Sequence, residues 1–250
     1  MRIILCGCLG RMGTAINDLV QETPSAKIVL GTDSLQPATP RPYPIKTELA
    51  KTEADVLISY LSPQAYTDTN ILDYCVAENI PAVICTTALP PHFCTAMEQA
   101  AEKIPVFYSA NMSFGVTVLE KILAEYSALL YTANFDIELV EKHHNKKLDA
   151  PSGTAVNLIN TIQSTLPKTE IVTDRTQEKK ERTHQEIGVH AIRGGTIVGE
   201  HSVIFAGPHE TIELTHSATG RQVFAEGTLR AAQYIIGKKP GMYKMGDLIS

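Results

Sequence analysis

Arg2-Ile3-Ile4-Leu5-Cys6-Gly7-Cys8-Leu9-Gly10-Arg11-Met12-Gly13, residues 2–13, decides the fold. A short apolar run leads directly into three glycines spaced G-x-x-G-x-x-G, and a stretch with helical spacing follows over 14–21. Glycine lets a backbone turn tightly and approach a pyrophosphate closely. The helix start then offers unpaired N–H groups and a partial positive charge to the phosphates. The usual dinucleotide fingerprint is G-x-G-x-x-G; here Cys8-Leu9 shifts the spacing by one. Asp33 follows Gly13 by 20 residues, after the second apolar run, where an acidic side chain accepts from ribose hydroxyls. Ser34-Leu35 come next, so no basic residue directly beside Asp33 welcomes a 2′-phosphate; Arg11 is the alternative. The competing reading is a purely structural glycine turn in some other α/β fold. The strand–turn–helix setting and Asp33 favour the nucleotide.

Outward from that turn, strand and helix signals alternate. Strands are expected at 27–30, 54–60, 82–86 and 106–109, helices at 63–78 and 91–103, and a Pro-rich loop at 35–47. Repeated βα units of this length imply a parallel sheet covered by helices on both faces. The pattern changes after Val116. A helix runs to about 130, and Phe135-Asp136-Ile137-Glu138-Leu139 alternates as a half-buried strand does. A helix at 152–166, a solvated polar loop at 167–186 and two β segments near 188–206 and 210–217 follow. The last helix, near 223–236, is expected to return to the first domain. The fold class is therefore α/β: a Rossmann-type parallel-sheet nucleotide domain plus a smaller α+β domain with an open mixed or antiparallel sheet.

Composition narrows the function. The 250 residues carry a formal net charge of −5, with 44% hydrophobic and 20% charged residues, an ordinary globular balance. No apolar run approaches the roughly 20 residues of a membrane helix, and the opening run is too short for a secretory signal. Mild acidity without a dominant basic cluster argues against nucleic acid as a partner. Cys6, Cys8, Cys75, Cys85 and Cys94 are odd in number and form no C-x-x-C. They read as reduced core residues of a cytoplasmic protein.

Glu141-Lys142-His143-His144-Asn145-Lys146-Lys147 leaves the end of a strand, and Asp149-Ala150-Pro151-Ser152-Gly153-Thr154 opens a helix. Proline suits a first helical position, and Asp149, Ser152 and Thr154 can each cap. A helix start with a threonine hydroxyl and a nearby ammonium makes a receptor for carboxylate or phosphate. Adjacent histidines place a proton donor active near neutral pH beside a second donor. The alternative is a solvated basic turn. Zinc is disfavoured, because no Cys or third His stands at ligand spacing, and no metal is expected. His184, His190, His201, His209 and His216 read as structural or exposed.

Together these residues resemble a known family. Gly7-x-x-Gly10-Arg11-Met12-Gly13, the run from Glu138 to Ala155 and Gly199-Glu200-His201 are similar to 4-hydroxy-tetrahydrodipicolinate reductase (dihydrodipicolinate reductase), an enzyme of the diaminopimelate route to lysine. The resemblance spans the chain. It implies a nucleotide domain of 1–114 and 222–250, and a substrate-binding and oligomerisation domain of 115–221 that builds a homotetramer. It implies NADH or NADPH as hydride donor to a small cyclic dicarboxylate. His143 matches the proton donor and Lys147 its partner lysine. His144, Gly153 and Thr154 match substrate-carboxylate contacts, and Arg221 a basic position near the substrate. Gly7, Cys8, Leu9, Gly10, Arg11, Met12 and Asp33 match the nucleotide turn. Cys85-Thr86-Thr87 and Ser109-Ala110-Asn111-Met112 match segments along the cofactor. Departures gather there: Cys85 and Ala88 stand where the family shows glycine, Ser59-Tyr60-Leu61 replaces an Asp-Phe-Thr-like run, and Met112 replaces phenylalanine. NADH is expected to serve at least as well as NADPH. A small amino-acid dehydrogenase of similar build and a non-catalytic nucleotide sensor are the rivals.

Overall fold

In the computed structural model, which describes residues 1–176 and 179–249, the opening apolar run forms β1 (Arg2–Cys6), buried after Arg2 on both faces. Ile3 and Leu5 face one core with Ala15, Ile16 and Val20 of α1 (Arg11–Gln21) and with Ala225, Ala231, Ala232 and Ile235 of α6 (Gln222–Ile235). Ile4 and Cys6 face the opposite core, with Leu72 and Cys75 of α2 (Asn70–Ala77) and Phe93 and Met97 of α3 (Pro91–Ala101). A strand apolar at every position is what such two-sided burial requires.

The remaining strands of this sheet are β2 (Lys27–Thr32), β3 (Ile45–Lys46), β4 (Val56–Ser59), β5 (Ala82–Ile84), β6 (Pro105–Tyr108) and β12 (Gly241–Tyr243). They run parallel in the order β12-β6-β5-β4-β1-β2-β3. The chain reverses its direction of sheet growth between β1 and β4, the switch point at which such sheets bind ligands beyond their strand ends.

Three local expectations change. The Pro-rich loop contains β3, which pairs with β2 at the sheet edge as the Gly31 N–H donates to the Pro44 carbonyl at 2.9 Å. An edge tolerates prolines that lack a donor. The helix expected over 63–78 breaks into a 3-10 turn, Pro63–Ala65, and α2. Between them Tyr66 turns inward, its hydroxyl within 2.7 Å of Ser59 and 2.9 Å of Thr86. α1 starts at Arg11 rather than Thr14, so Gly13 lies inside it.

The second unit, Gly115–Gly220, holds a five-stranded mixed sheet in the order β11-β10-β7-β9-β8. Its strands are β7 (Asp136–His143), β8 (Glu170–Val172), β9 (Glu186–Arg193), β10 (Gly199–Ala206) and β11 (Thr211–Ala218). β7 lies between β9, parallel to it, and β10, antiparallel. The segment read as one strand near 188–206 is therefore two strands on either side of a third. The turn at Gly194 and Gly195, the latter with φ +49°, makes that reversal. α4 (Phe114–Thr132) and α5 (Gly153–Thr165) cover one face through Leu119, Leu123, Leu158, Ile159 and Ile162.

The loop expected to be solvated over 167–186 contains β8, and Arg182 is ion-paired to Asp136 at 2.5 Å and to Glu138 at 3.1 Å. Gln177 and Glu178 of that loop, and Ser250 of the expected first domain, lie outside the described residues. The second unit ends one residue before the expected boundary, and Arg221, the N-cap of α6, belongs to the first. Among the described residues no helix is long and apolar enough to cross a membrane.

Candidate active site

β7 alternates without exception: Ile137, Leu139, Glu141 and His143 are buried, and the residues between them are less so. The first two join the apolar core. The last two place a carboxylate and an imidazole in the same inward row. Register extends the row sideways: Glu141 lies opposite His201 on β10, and His143 lies between Gly199 on β10 and Arg193 on β9. One end of the covered face is thus polar.

Glu141 is fully buried and its two oxygens accept four hydrogen bonds. Oε2 accepts from His143 Nδ1 at 2.5 Å and from Arg193 Nη1 at 2.8 Å. Oε1 accepts from Arg193 Nη2 at 2.6 Å and from the Ser152 N–H at 3.0 Å. Ser152 is the N-cap of α5, its hydroxyl accepting from the Ala155 N–H at 3.2 Å and lying 3.1 Å from His201 Nε2. Pro151 therefore precedes the cap instead of opening the helix: the serine hydroxyl, not the proline ring, satisfies the first turn. Gly153 is the first helical residue, and a side chain there would meet nothing within 4 Å. Thr154 follows. Lys147 Nζ pairs with Asp149 Oδ1 at 2.9 Å, and the Nδ1 of His144 is buried without a hydrogen-bond partner among the described residues.

These contacts set the charges. Burial pushes the Glu141 carboxyl up, but hydrogen bonds from Arg193, His143 and the Ser152 N–H together hold it below the usual carboxylate range. Burial pushes His143 down; Glu141 opposes this, Lys147 and Arg193 reinforce it, and the result lies below the ordinary histidine value. Burial and the neighbouring His143 push His201 down to about 4. A histidine lowered on folding stabilises the fold above its unfolded value, and that contribution drains away as pH falls toward the folded one. His201 should therefore make unfolding easier between about pH 6.5 and 4, by on the order of 3 kcal/mol at most. Urea unfolding across that range checks this. His201→Gln should flatten the slope by close to one proton, and an unchanged slope counts against a buried neutral imidazole.

The first unit gathers its candidate residues at the carboxyl ends of its strands. Gly7 has φ +77°, and a side chain there would come within 2.8 Å of the Tyr60 carbonyl. The N-cap of α1 is Gly10, no side chain caps it, and its first turn carries no acidic residue. An uncapped, acid-free helix start beside a glycine turn fits a pyrophosphate. Asp33 Oδ2 accepts from the Leu9 N–H at 2.9 Å and Oδ1 from the Leu35 N–H at 3.1 Å. Each oxygen keeps a lone pair for a ribose hydroxyl. A cavity of about 780 Å³ opens here, lined by Gly7, Gly10, Asp33, Glu48, Tyr60 and Tyr74 among others. Cys85-Thr86-Thr87 and Ser109–Met112 follow β5 and β6 and are not among its lining residues. Cys85 and Met112 are buried, so contact with a cofactor would come from their backbone. Arg11 and Arg221 are exposed, and Met12 is half-buried. Burial pushes the thiols of Cys6 and Cys85 up to about 12 and that of Cys8 up to about 11, and all five cysteines are free.

Family profiles match both parts of the chain, dihydrodipicolinate reductase N-terminus over residues 1–112 and dihydrodipicolinate reductase C-terminus over 115–249. The chain belongs to the dihydrodipicolinate reductase family. It is 45% identical to the 4-hydroxy-tetrahydrodipicolinate reductase of Caldanaerobacter subterraneus subsp. tengcongensis, covering 100% of this chain and 98% of that one. It is 43% identical to the enzyme of the same name from Clostridium novyi, over 99% and 98%. A dihydrodipicolinate reductase structure from Paenisporosarcina sp. TG-14, described as dipicolinate-bound, has the same fold. The TM-score is 0.83 at 22% identity, over 99% and 98% of the two chains. The dehydrogenase fold implies a nicotinamide cofactor. Among the described residues no group of three His, Cys, Asp or Glu could hold a metal ion.

Within this dihydrodipicolinate reductase family chain, the departures near the cofactor segments pack on one another. Tyr60 Oη lies 2.7 Å from Thr228 Oγ1, and Tyr60 packs against the core that holds Cys85 and Met112. Ala88, where glycine is usual, adopts φ +52°. Three residues that the sequence reading left out belong to these sites. Glu141 and His201 continue the alternation of two strands, a signal present in the sequence. Arg193 lies beyond any local pattern.

Proposed function

We propose that this chain reduces 4-hydroxy-tetrahydrodipicolinate to tetrahydrodipicolinate with NADH or NADPH, as a homotetramer, in the diaminopimelate route to lysine. The observation that carries the reading is the imidazole of His143, anchored through Nδ1, on the same polar sheet end as Lys147 and the start of α5.

Gly7, Gly10 and the first turn of α1 hold the pyrophosphate, and Asp33 the ribose. Thr86, Thr87, Ser109, Ala110 and Asn111 would hold the nicotinamide end, as the family resemblance implies. When bound, the reduced nicotinamide supplies the hydride. Lys147, His144 and the Gly153–Thr154 helix start hold the substrate carboxylates, so that the ring is fixed before reaction. The substrate's 4-hydroxyl and a hydrogen from the neighbouring carbon first leave as water, giving a conjugated imine; once the carbon that bore the hydroxyl has taken the hydride, His143 returns a proton from Nε2 to that neighbouring carbon. A side chain at position 199 would come within 3.1 Å of that nitrogen, so Gly199 keeps it open.

The test is oxidation of NADH or NADPH coupled to fresh condensation product of pyruvate and aspartate semialdehyde, against oxaloacetate plus ammonia as control. Turnover of the first alone supports the reading; cofactor binding without turnover points to a sensor. The same assay decides the donor. NADH should give kcat/KM at least equal to NADPH, because Asp33 has no basic neighbour in sequence. A tenfold preference for NADPH overturns that and makes Arg11 the residue to change.

A further inference from the structure

We infer that Glu141 is a positioning residue: clamped by Arg193 and the Ser152 N–H, its carboxylate fixes His143 as the Nδ1–H tautomer and ties that imidazole to the start of α5. This rests on the proposed role of His143 as proton donor.

The argument is geometric. A carboxylate lying 2.5 Å from Nδ1 requires hydrogen on that nitrogen, which leaves Nε2 to carry or release the transferable proton. The ring cannot turn over without breaking that bond. Nor can Glu141 move, because the Arg193 fork grips both its oxygens, at 2.8 and 2.6 Å. Arg193 Nη2 also donates to the Asp149 carbonyl at 2.6 Å, and Asp149 pairs with Lys147. The proton donor, the lysine and the helix start thus share one rigid frame whose hub is a fully buried carboxylate. Lone buried carboxylates are costly, and this one is tolerable only because every lone-pair direction is used.

The charges facing His143 are Glu141 on its own strand, Arg193 on β9, His201 on β10 and Lys147 in the following loop. Only Glu141 is an anion, so its removal should disfavour the imidazolium. The free carboxylate of a bound substrate would act in the opposite sense.

The experiment reads the tautomer directly. In the full chain labelled with 15N-histidine, NMR above the titration of His143 should show hydrogen on Nδ1 and none on Nε2, with His143→Asn assigning the signals. In Glu141→Gln the carboxamide offers one acceptor oxygen where Arg193 and His143 need two, so the Nδ1 bond should be lost. Mixed tautomers should appear, kcat should fall by about 10²–10⁴-fold, the upper end being that of a catalytic histidine held in the wrong tautomer, and the alkaline limb of kcat/KM should move to lower pH. Arg193→Lys keeps the cation and one donor. It should keep the tautomer and cost less than tenfold in kcat, and it serves as the second variant should Glu141→Gln not fold. An Nε2–H tautomer in the wild type, an Arg193→Lys enzyme that loses the Nδ1–H tautomer, or a folded Glu141→Gln enzyme with unchanged tautomer and limb, overturns the inference. Wild-type turnover in His143→Ala, with the NMR result intact, would instead overturn the proton-donor role alone.

Discussion

Replacing His143 with alanine is expected to lower kcat by about 10²–10⁴-fold while KM stays within a few-fold of wild type. The split follows from where the side chain sits. His143 is 8% exposed and bound through Nδ1 to Glu141, so its free nitrogen is the single polar point it presents. The groups assigned to the carboxylates, Lys147 and the start of α5, are other residues, and substrate should still dock. What disappears is protonation of the electron-rich carbon as it forms, a contribution realised only in the transition state. Steady-state kinetics on the coupled substrate, with a thermal melt to verify folding, decides the matter. Turnover within threefold of wild type would falsify the assignment. The alanine enzyme should also lose the alkaline limb of the pH profile, since no imidazole remains there to deprotonate.

The second large effect is structural. Gly13→Ala is expected to cost about 3 kcal/mol or more and to lower the melting temperature by roughly 6–12 °C. A side chain at Gly13 would come within 2.2 Å of the Gly7 carbonyl oxygen and 2.7 Å of the Cys8 backbone. These are backbone atoms that cannot rotate aside, so the turn itself must open. Gly10→Ala is the control: its nearest contact is the same carbonyl oxygen at 3.3 Å, and its φ of −68° suits any residue. That variant should melt close to wild type yet bind NADH more weakly, because its methyl group sits where the phosphates approach. Equal melting temperatures for the two variants would show that the third glycine does not hold the turn closed.

The parallel sheet was legible from residues 2–13 onward because two-sided burial demands unbroken apolar strands, and unbroken apolar runs stand out. The glycine turn was legible because glycine has few other reasons to recur at that spacing between a strand and a helix. Glu141 was harder. It sits inside the quoted motif, and the alternation Phe135, Ile137, Leu139 points to it, but a glutamate on the inner row looks like the end of a strand rather than its functional part. Arg193 was invisible, since its partnership with Glu141 joins residues on two strands far apart in sequence. The split of the segment near 188–206 was missed because β9 and β10 pair with β7 and not with each other, so their pattern carries no hairpin signal.

The first unit takes α6 and β12 from the far end of the chain, and this has a consequence for synthesis. A ribosome that has finished the glycine turn, and all the strands up to β6, still holds a sheet with one greasy face covered by α1 alone. Ala225, Ala231, Ala232 and Ile235, which seal that face, emerge only after the whole second unit. A fragment stopped at residue 114 therefore has the glycine turn but lacks the helix that completes its interior, and should clump rather than stay folded. Any fusion partner, tag or stop codon placed before residue 236 acts on the oldest part of the protein through its youngest.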